Sequence, residues 1–307
     1  MTHKPLILSN DEIVEIITVQ ECMDIVEKLF GDLEDSQMPP KIYLDIPDGD
    51  FRAMPAVVGN TAGIKWCGVH LDKTKKKRKI NIFAKVLIND VDSGKLLAIM
   101  DGEKITAIRT AAVTGVATKY LAKKDANVAA FIGCGNQTLY QIEAVCHARK
   151  IKQIRLFDFD YTRCGILKAH FSKDYDVVIC DDGEECIRDA DIITTLTPSV
   201  HGFVKHDWLK SSVHINAIGA DAQGKRELDS SVLDGVNLVV YDDWEQCSHS
   251  GEIQYVDYED KKQPWLSLGD VVSGKEEVVR GKQTLFDATG LAVEDVVTAR
   301  YIYEKVK

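Results

Sequence analysis

Apolar residues recur with different periods along this chain of 307 residues, and the changes of period mark how it is organised. Near the start, Cys22, Ile25, Val26, Leu29 and Phe30 repeat at helical spacing, which predicts a helix with one buried face. Ser9 with Glu12 and Thr18 with Glu21 have the spacing of capping boxes and predict two helix starts. Met38-Pro39-Pro40 ends that pattern, and short β-like runs follow at 42–46, 51–54, 63–69 and 80–89. Asp90-Val91-Asp92-Ser93-Gly94 reads as a hairpin turn into a further run at 96–100. From 103 to 121 good helix formers dominate, and Ala111, Ala112, Gly115 and Ala117 make one side small enough for close packing.

From Asn127 a strand–helix–strand rhythm takes over. A strand at 127–132, a helix at 137–150 and a strand at 153–157 are followed by apolar runs at 176–180, 191–195, 213–218 and 236–241. That is the pattern of an α/β fold with a doubly wound parallel sheet. Residues 264–269 read as a loop before another helix. Residues 290–306 read as a terminal amphipathic helix carrying Leu291, Val293, Val296, Val297 and Ile302.

Composition narrows the class. With 48 acidic against 38 basic residues the net charge is −10, so no nucleic-acid partner is expected. The basic run Lys73 to Lys79 is a local exception, read as a solvated loop, a nuclear signal or an anion-handling lid. No stretch reaches the roughly 18 apolar residues of a membrane span, and residues 1–8 lack the apolar core of a secretory signal, so a soluble cytoplasmic protein is expected. The eight cysteines form no C-x-x-C pair, which favours buried free thiols, and the histidines lack ligand spacing, so no metal is expected.

The clearest chemistry lies at the first strand–helix junction of the second part. Gly133-Cys134-Gly135-Asn136-Gln137 would let backbone N–H groups approach a pyrophosphate at the positive end of the helix. Position 138 is Thr, not the third glycine of the common fingerprint. Asp158 closes the next strand, where an acid would hold an adenosine ribose and repel a 2′-phosphate; the bland reading makes it the start of a loop. Together these features predict a dinucleotide, NAD rather than NADP.

Several segments resemble the ornithine cyclodeaminase/μ-crystallin family, in family order over nearly the whole chain. They are Met38-Pro39-Pro40-Lys41, Arg52-Ala53-Met54-Pro55, Ala62-Gly63-Ile64-Lys65-Trp66, Ile108-Arg109-Thr110-Ala111-Ala112 and Phe131-Ile132-Gly133-Cys134-Gly135. Further on come His214-Ile215-Asn216-Ala217-Ile218-Gly219-Ala220-Asp221, Gly224-Lys225-Arg226-Glu227-Leu228, Gly251-Glu252-Ile253, Phe286-Asp287 and Thr289-Gly290-Leu291-Ala292. The wording Arg-Ala-Met-Pro and Gly-Cys-Gly is shared with archaeal-type alanine dehydrogenases.

The resemblance implies a Rossmann-type NAD-binding domain at 117–286, inserted in a strand-rich α+β substrate and dimerisation domain at 1–116 plus 287–307. It implies a homodimer acting on a small amino, imino or oxo acid. Lys65 and Asp221 match catalytic positions, and Lys41, Arg52 and Arg109 match substrate-binding ones. Arg109, Thr110, Gly133, Gly135, Asn136, Gln137, Asp158, Thr197, Asn216, Ala217, Ile218, Gly219 and Lys225 match cofactor-binding positions. From the residues alone, Lys41 reads as a surface lysine and Arg109 as either a carboxylate binder or half of an internal ion pair. Lys65 is solvent-facing or a buried proton carrier, and Asp221 a ligand group or an Asx turn.

Ornithine cyclodeaminases carry glutamate where Arg52 stands, so a guanidinium there is expected to repel a distal ammonium. An NAD-dependent dehydrogenase of L-alanine is therefore expected ahead of an ornithine cyclodeaminase or a non-catalytic crystallin-like binder. The chain departs from the family after His70, where Leu71 to Lys79 replaces a Pro-Gly-Asn loop, and at Ala288, often serine in relatives.

Overall fold

Two short helices open the chain where their capping boxes place them. In α1 (Asn10–Ile16) the Glu12 carboxylate accepts from Ser9 N at 2.8 Å, and in α2 (Val19–Gly31) the Glu21 carboxylate accepts from Thr18 N at 2.9 Å. In each, the Ser or Thr hydroxyl accepts from the N3 backbone in return, which satisfies two orphan donors reciprocally. The protein is seen in a computed structural model that describes residues 4–33, 36–72 and 79–307. The basic run lies outside the described residues but for Lys79, where a strand begins.

The chain divides into two compact units, residues 1–109 with 291–307 and residues 110–290. The first border falls inside α3 (Gly102–Leu121), and the expected border at 116–117 lies further along the same helix. Every residue of α3 from 107 to 118 is buried, so this helix has no amphipathic stripe to locate its neighbours from sequence.

The first unit is built on seven described strands: β1 (Leu6–Leu8), β2 (Ser36–Gln37), β3 (Ile42–Ile46), β4 (Gly49–Val58), β5 (Thr61–Asp72), β6 (Lys79–Asp90) and β7 (Leu96–Asp101). Their order is β1-β7-β6-β5-β4-β2, with β3 also on β4. Pro55 sits within β4, where it cannot donate to a ladder; β3 pairs up to Ala53 and β2 resumes at Val57, so no strand needs its missing N–H on that edge. The hairpin turn at Asp90–Gly94 is present, with Gly94 at φ +68°. The last helix, α10 (Ala292–Val306), packs on β4, β5 and β6. A Cβ on Gly63 would stand 2.8 Å from Val296, so the glycine permits that close approach.

The second unit holds an eight-stranded parallel sheet in the order β10-β9-β8-β11-β13-β17-β15-β16. Its strands are β8 (Val128–Ile132), β9 (Gln153–Phe157), β10 (Asp176–Ile179), β11 (Ile192–Thr195), β13 (Val213–Ala217), β15 (Leu238–Tyr241), β16 (Trp265–Ser267) and β17 (Gln283–Asp287). Beside them β12 (Val200–Val204) pairs with β14 (Arg226–Leu228). The helices are α4 (Thr138–Ala148), α5 (Tyr161–Phe171), α6 (Gly183–Ile187), α7 (Ser230–Gly235), α8 (Trp244–Ser250) and α9 (Leu268–Val272). The chain steps outward from β8 through β9 to β10, then returns to β11 on the other side of β8. That reversal is a topological switch point, where open α/β sheets bind ligands.

One reading needs correction, and one strand has no counterpart in the sequence pattern. Residues 265–267, expected as loop, form β16 because Trp265 is buried and the segment pairs with β15. β17 lies between β13 and β15; all five of its residues are buried, but polar Gln283, Thr284 and Asp287 hide it from a search for apolar runs. All eight cysteines are free thiols, seven of them buried. No helix among the described residues is long and apolar enough to cross a membrane.

The interior of the second unit contains an unusual group of acids: Glu227, Glu252 and Asp287 are fully buried and Asp242 nearly so. Burial pushes Glu252 up to about 9, helped by the charges of Asp287 and Glu227. Burial likewise raises Asp287 to about 7 despite backbone N–H donors at Ile253 and Glu252. Such acids hold protons more tightly folded than unfolded, so their stabilising effect is full below the ordinary carboxylate range. It is lost as pH rises through about 7 and then about 9. Glu21, held at about 2 chiefly by Lys305, and Asp191, held at about 2 by backbone and lysine partners that outweigh its burial, act oppositely and lose their contribution only in strong acid. Thermal melting followed against pH should therefore show a maximum in mildly acidic buffer and a decline toward pH ~9. Glu252→Gln should flatten the upper part of that decline; an unchanged slope would refute the assignment.

Candidate functional site

In the second unit the turn after β8 is shaped for a phosphate. Gly133 adopts φ +96°, and a Cβ there would stand 2.9 Å from Leu196 O and 3.1 Å from Thr197 Cγ2, so both conformation and space demand glycine. Thr138 Oγ1 donates to Gly133 O at 2.8 Å and locks the turn. Gly135 faces open space, Asn136 is exposed, and Gln137 precedes α4 with no side-chain cap, so no side chain occupies the positive end of the helix, whose first N–H, that of Thr138, donates to Gly135 O at 3.2 Å. The Gln137 Oε1 atom is buried without a partner.

Asp158 follows β9 and ties the region together. Its carboxylate accepts from Cys134 N at 2.7 Å and from Asp160 N at 2.8 Å. Each oxygen keeps a further lone pair, as a ribose diol would require. An uncapped helix start, a left-handed glycine and a terminal acid fit a dinucleotide, whose pyrophosphate would lie on α4 and whose adenosine ribose would meet Asp158.

The remaining expected cofactor residues divide. Thr197 and Gly219 lie in loops beyond β11 and β13, on the same strand ends as the glycine turn. Lys225 contacts Asp221 Oδ1, so the expected catalytic acid is ion-paired within its own loop. Asn216, Ala217 and Ile218 are buried. The Asn216 side chain is engaged within the unit: its oxygen lies 2.9 Å from His214 Nε2, and its amide donates to Thr118 Oγ1 of α3 at 3.2 Å. Burial pushes His214 down to about 3, so it is neutral there. Thr110 is buried in α3, with its carbonyl accepting from Thr114 Oγ1.

In the first unit the cross-strand register Arg52↔Cys67 and Met54↔Lys65 puts Arg52 and Lys65 on one face of the sheet, the face that receives α10. Lys65 is 3% exposed; its ammonium stands 2.8 Å from Asp295 Oδ2 and donates to Thr106 Oγ1 at 3.3 Å. Burial, then the charge of Arg109, lowers its pKa, and Asp295 opposes that only in part. Arg109 donates to Asp295 Oδ1 at 3.0 Å and to Glu294 Oε2 at 2.8 Å. Burial works against the guanidinium's charge, but the two acids outweigh it and keep it charged. Asp295 is held below its usual range because Arg109 and Lys65 overcome its own burial. A buried amine of lowered pKa beside a fixed carboxylate can take up and return a proton.

Arg52 makes a two-pronged contact with Asp50, Nε to Oδ1 at 2.6 Å and Nη2 to Oδ2 at 3.2 Å, while its Cζ lies 5.3 Å from the Tyr43 ring. The expectation that Arg52 repels an ammonium on charge alone is corrected by this pairing. Lys41 is half-buried just before β3. A cavity of about 620 Å³ lies on the opposite face of the sheet, lined by Phe51, Trp66, His70 and Phe83. Among the described residues no group of three His, Cys, Asp or Glu could hold a metal ion.

Sequence reasoning missed Asp50, Glu294 and Asp295. A signal existed for the last two: adjacent acids in the first turn of α10, fully buried in a helix otherwise read by its apolar members. Glu294 also accepts from Leu291 N at 3.3 Å, half of a capping box.

Comparison with known proteins agrees with this geometry. Residues 3–307 match the model of the ornithine cyclodeaminase/mu-crystallin family. The chain is 37% identical to an alanine dehydrogenase of Archaeoglobus fulgidus, over 97% of this chain and 94% of the relative. It is 31% identical to an ornithine cyclodeaminase of Agrobacterium fabrum, over 98% and 89%. Among solved structures, an archaeal alanine dehydrogenase dimer with bound NAD superposes with a TM-score of 0.91 at 36% identity, covering 98% of this chain and 96% of that one. The Thermococcus litoralis Δ1-pyrroline-2-carboxylate reductase, in complex with NADH and L-proline, gives 0.91 at 30% identity, covering 98% and 97%. With its whole length matched and its phosphate turn in place, the chain belongs to the ornithine cyclodeaminase/mu-crystallin family.

Proposed function

We propose that this protein is an NAD-dependent amino-acid dehydrogenase whose substrate has a short apolar side chain, L-alanine foremost, converted to pyruvate and ammonia. One observation carries the substrate reading. The three acids named on the Lys65 face are already paired, Asp50 with Arg52, Glu294 with Arg109, and Asp295 with both Arg109 and Lys65. A diamino acid brings a second ammonium that gains most from an acid without a partner, whereas a methyl group asks for none. The similarity to an alanine dehydrogenase supports the same reading.

Gly133, Gly135, the start of α4 and Asp158 would hold the cofactor. NAD, when bound, accepts the hydride that leaves the substrate Cα. Arg109, Arg52 and Lys41 serve the substrate carboxylate, the arginines with N–H donors beyond those their protein carboxylates already use. Lys65 in its neutral form takes a proton from the substrate ammonium. Asp221 takes a proton from the water that adds to Cα; the Lys65 ammonium returns one to the departing amine, and the hydroxyl proton is released to solvent as the C–N bond breaks and the carbonyl forms.

Asp50 favours a second reading. Released from Arg52, its carboxylate would pair with the distal ammonium of ornithine, and the chain would act as a cyclodeaminase. Two assays separate these: NADH oxidation with pyruvate plus ammonia, and proline formation from ornithine with catalytic NAD. The first is expected to proceed and the second not; the opposite result overturns the ranking, and NADH binding without either reaction supports a non-catalytic binder. Lys65→Ala should lower kcat by roughly a hundredfold to ten-thousandfold while leaving NADH binding intact. Asp158→Ser should narrow the preference for NADH over NADPH about tenfold, read from the two Kd values; an unchanged ratio would remove Asp158 from the ribose.

We also infer that two copies of the chain pair through the outer sheet face. Ile42, Leu44, Trp66 and Phe83 share it and are 54%, 51%, 39% and 66% exposed, an apolar patch that an open antiparallel sheet needs to cover. Phe83→Asp should convert a dimer into a monomer in sedimentation velocity; a wild-type monomer would sink the pairing.

A further inference from the structure

Glu227 has no part in the chemistry above, yet its placement is hard to explain as packing. It lies on β14, fully buried, and its carboxylate accepts two backbone hydrogen bonds from separate loops. Oε1 accepts from Thr197 N at 2.6 Å and Oε2 from Gly219 N at 2.9 Å. These loops leave neighbouring parallel strands at the same level, since Thr195 pairs with Ala217. They are also pressed together. A Cβ on Gly219 would stand 2.3 Å from Thr197 O and 2.5 Å from Glu227 Oε2, so no larger residue fits.

The first loop in turn abuts the glycine turn, with Leu196 O and Thr197 Cγ2 at Gly133. The strand carrying Glu227 is itself anchored, because Glu252 accepts from Glu227 N at 2.6 Å and from Leu228 N at 3.2 Å. A carboxylate whose charge is met by two N–H dipoles, rather than by a cation, works as a bracket of fixed span.

We propose that Glu227 is a positioning residue that sets the spacing of the loops after β11 and β13, and with it the half of the dinucleotide site that receives the nicotinamide. The inference rests on the NAD reading. The adenosine half, at Gly133 and Asp158, lies on β8 and β9. The nicotinamide half lies across the switch point, on the side of β11 and β13. The Asp221 loop is a continuation of the Gly219 segment, so the same bracket fixes where that acid begins. Glutamine at 227 can accept only one of the two hydrogen bonds and turns an N–H donor toward the other.

The test compares two ligands on Glu227→Gln: NADH, and ADP-ribose, which lacks the nicotinamide. NADH is expected to bind about tenfold more weakly than to wild type, the effect of one lost charge-assisted hydrogen bond, while ADP-ribose binding stays within about twofold. A variant that loses both equally, or neither, overturns the positioning role. Wild type that binds neither ligand overturns the dinucleotide reading and this inference with it. Should the variant fail to fold, amide exchange in wild type decides: residues 195–199 and 217–221 should be slowed further by NADH than by ADP-ribose. Equal slowing by the two ligands overturns the proposal.

Discussion

A closed set of buried charges governs the first unit. Lys65 from β5, Arg109 from α3 and the adjacent acids Glu294 and Asp295 from the first turn of α10 meet with every ion-pair distance at or below 3.0 Å. Two cations and two anions cancel, so the group as a whole carries no net charge into the interior. Removing any one would leave its partner uncompensated, at a cost of about 3–5 kcal/mol. The set exists only if the last helix returns to the sheet built by the first hundred residues. This accounts for a unit assembled from both ends of the chain. The acids sit at a helix N-terminus, where the dipole favours negative charge. Well-packed hydrocarbon would close the face at least as stably.

The second unit solves the burial of charge in the opposite way. Glu227, Glu252, Asp287 and Asp242 are met chiefly by backbone N–H groups: Glu227 by Thr197 and Gly219, Glu252 by Glu227 and Leu228, Asp287 by Ile253, and Asp242 by Thr289 and Gly290 at 2.8 Å each. Of these donors, Thr197, Gly219, Thr289 and Gly290 lie in loops beyond the strand ends, the edge where a parallel sheet binds its ligand. Loops there cannot be fixed by strand pairing and must stay open on their outer side. Carboxylates from behind hold them without filling the space in front. Burial, helped by mutual repulsion, then keeps protons on part of the group near neutrality, which makes this unit sensitive to alkali.

What is legible in the sequence is what neighbours decide. Both capping boxes close within three residues, the hairpin turn within five, and the glycine turn between β8 and α4 is specified by its immediate flanks. The partners of Arg109 lie 185 and 186 residues away, and no local pattern ties them to it. Asn216 reads in the sequence only as a polar residue near a strand end. That its side chain completes a hydrogen-bond chain with His214 and Thr118 is a fact only its neighbours in space reveal. β17 hides for a related reason, since buried Gln283 and Thr284 are satisfied by contacts that periodicity does not encode.

Arg52 shows why a residue type at a motif position underdetermines selectivity. Read alone, its guanidinium repels a second ammonium. With Asp50 bound through two of its nitrogens, the pair is close to neutral toward an approaching substrate. Under the proposed function, discrimination would come from the cost of disturbing the pair, and that cost is unequal. A substrate ammonium must draw Asp50 away and strand a guanidinium whose side chain is only 11% exposed. A substrate carboxylate needs Arg52 only to be shared, because five N–H donors exceed what Asp50 can take. On that reading the pair would yield to anions and resist cations, although its own net charge is nearly zero.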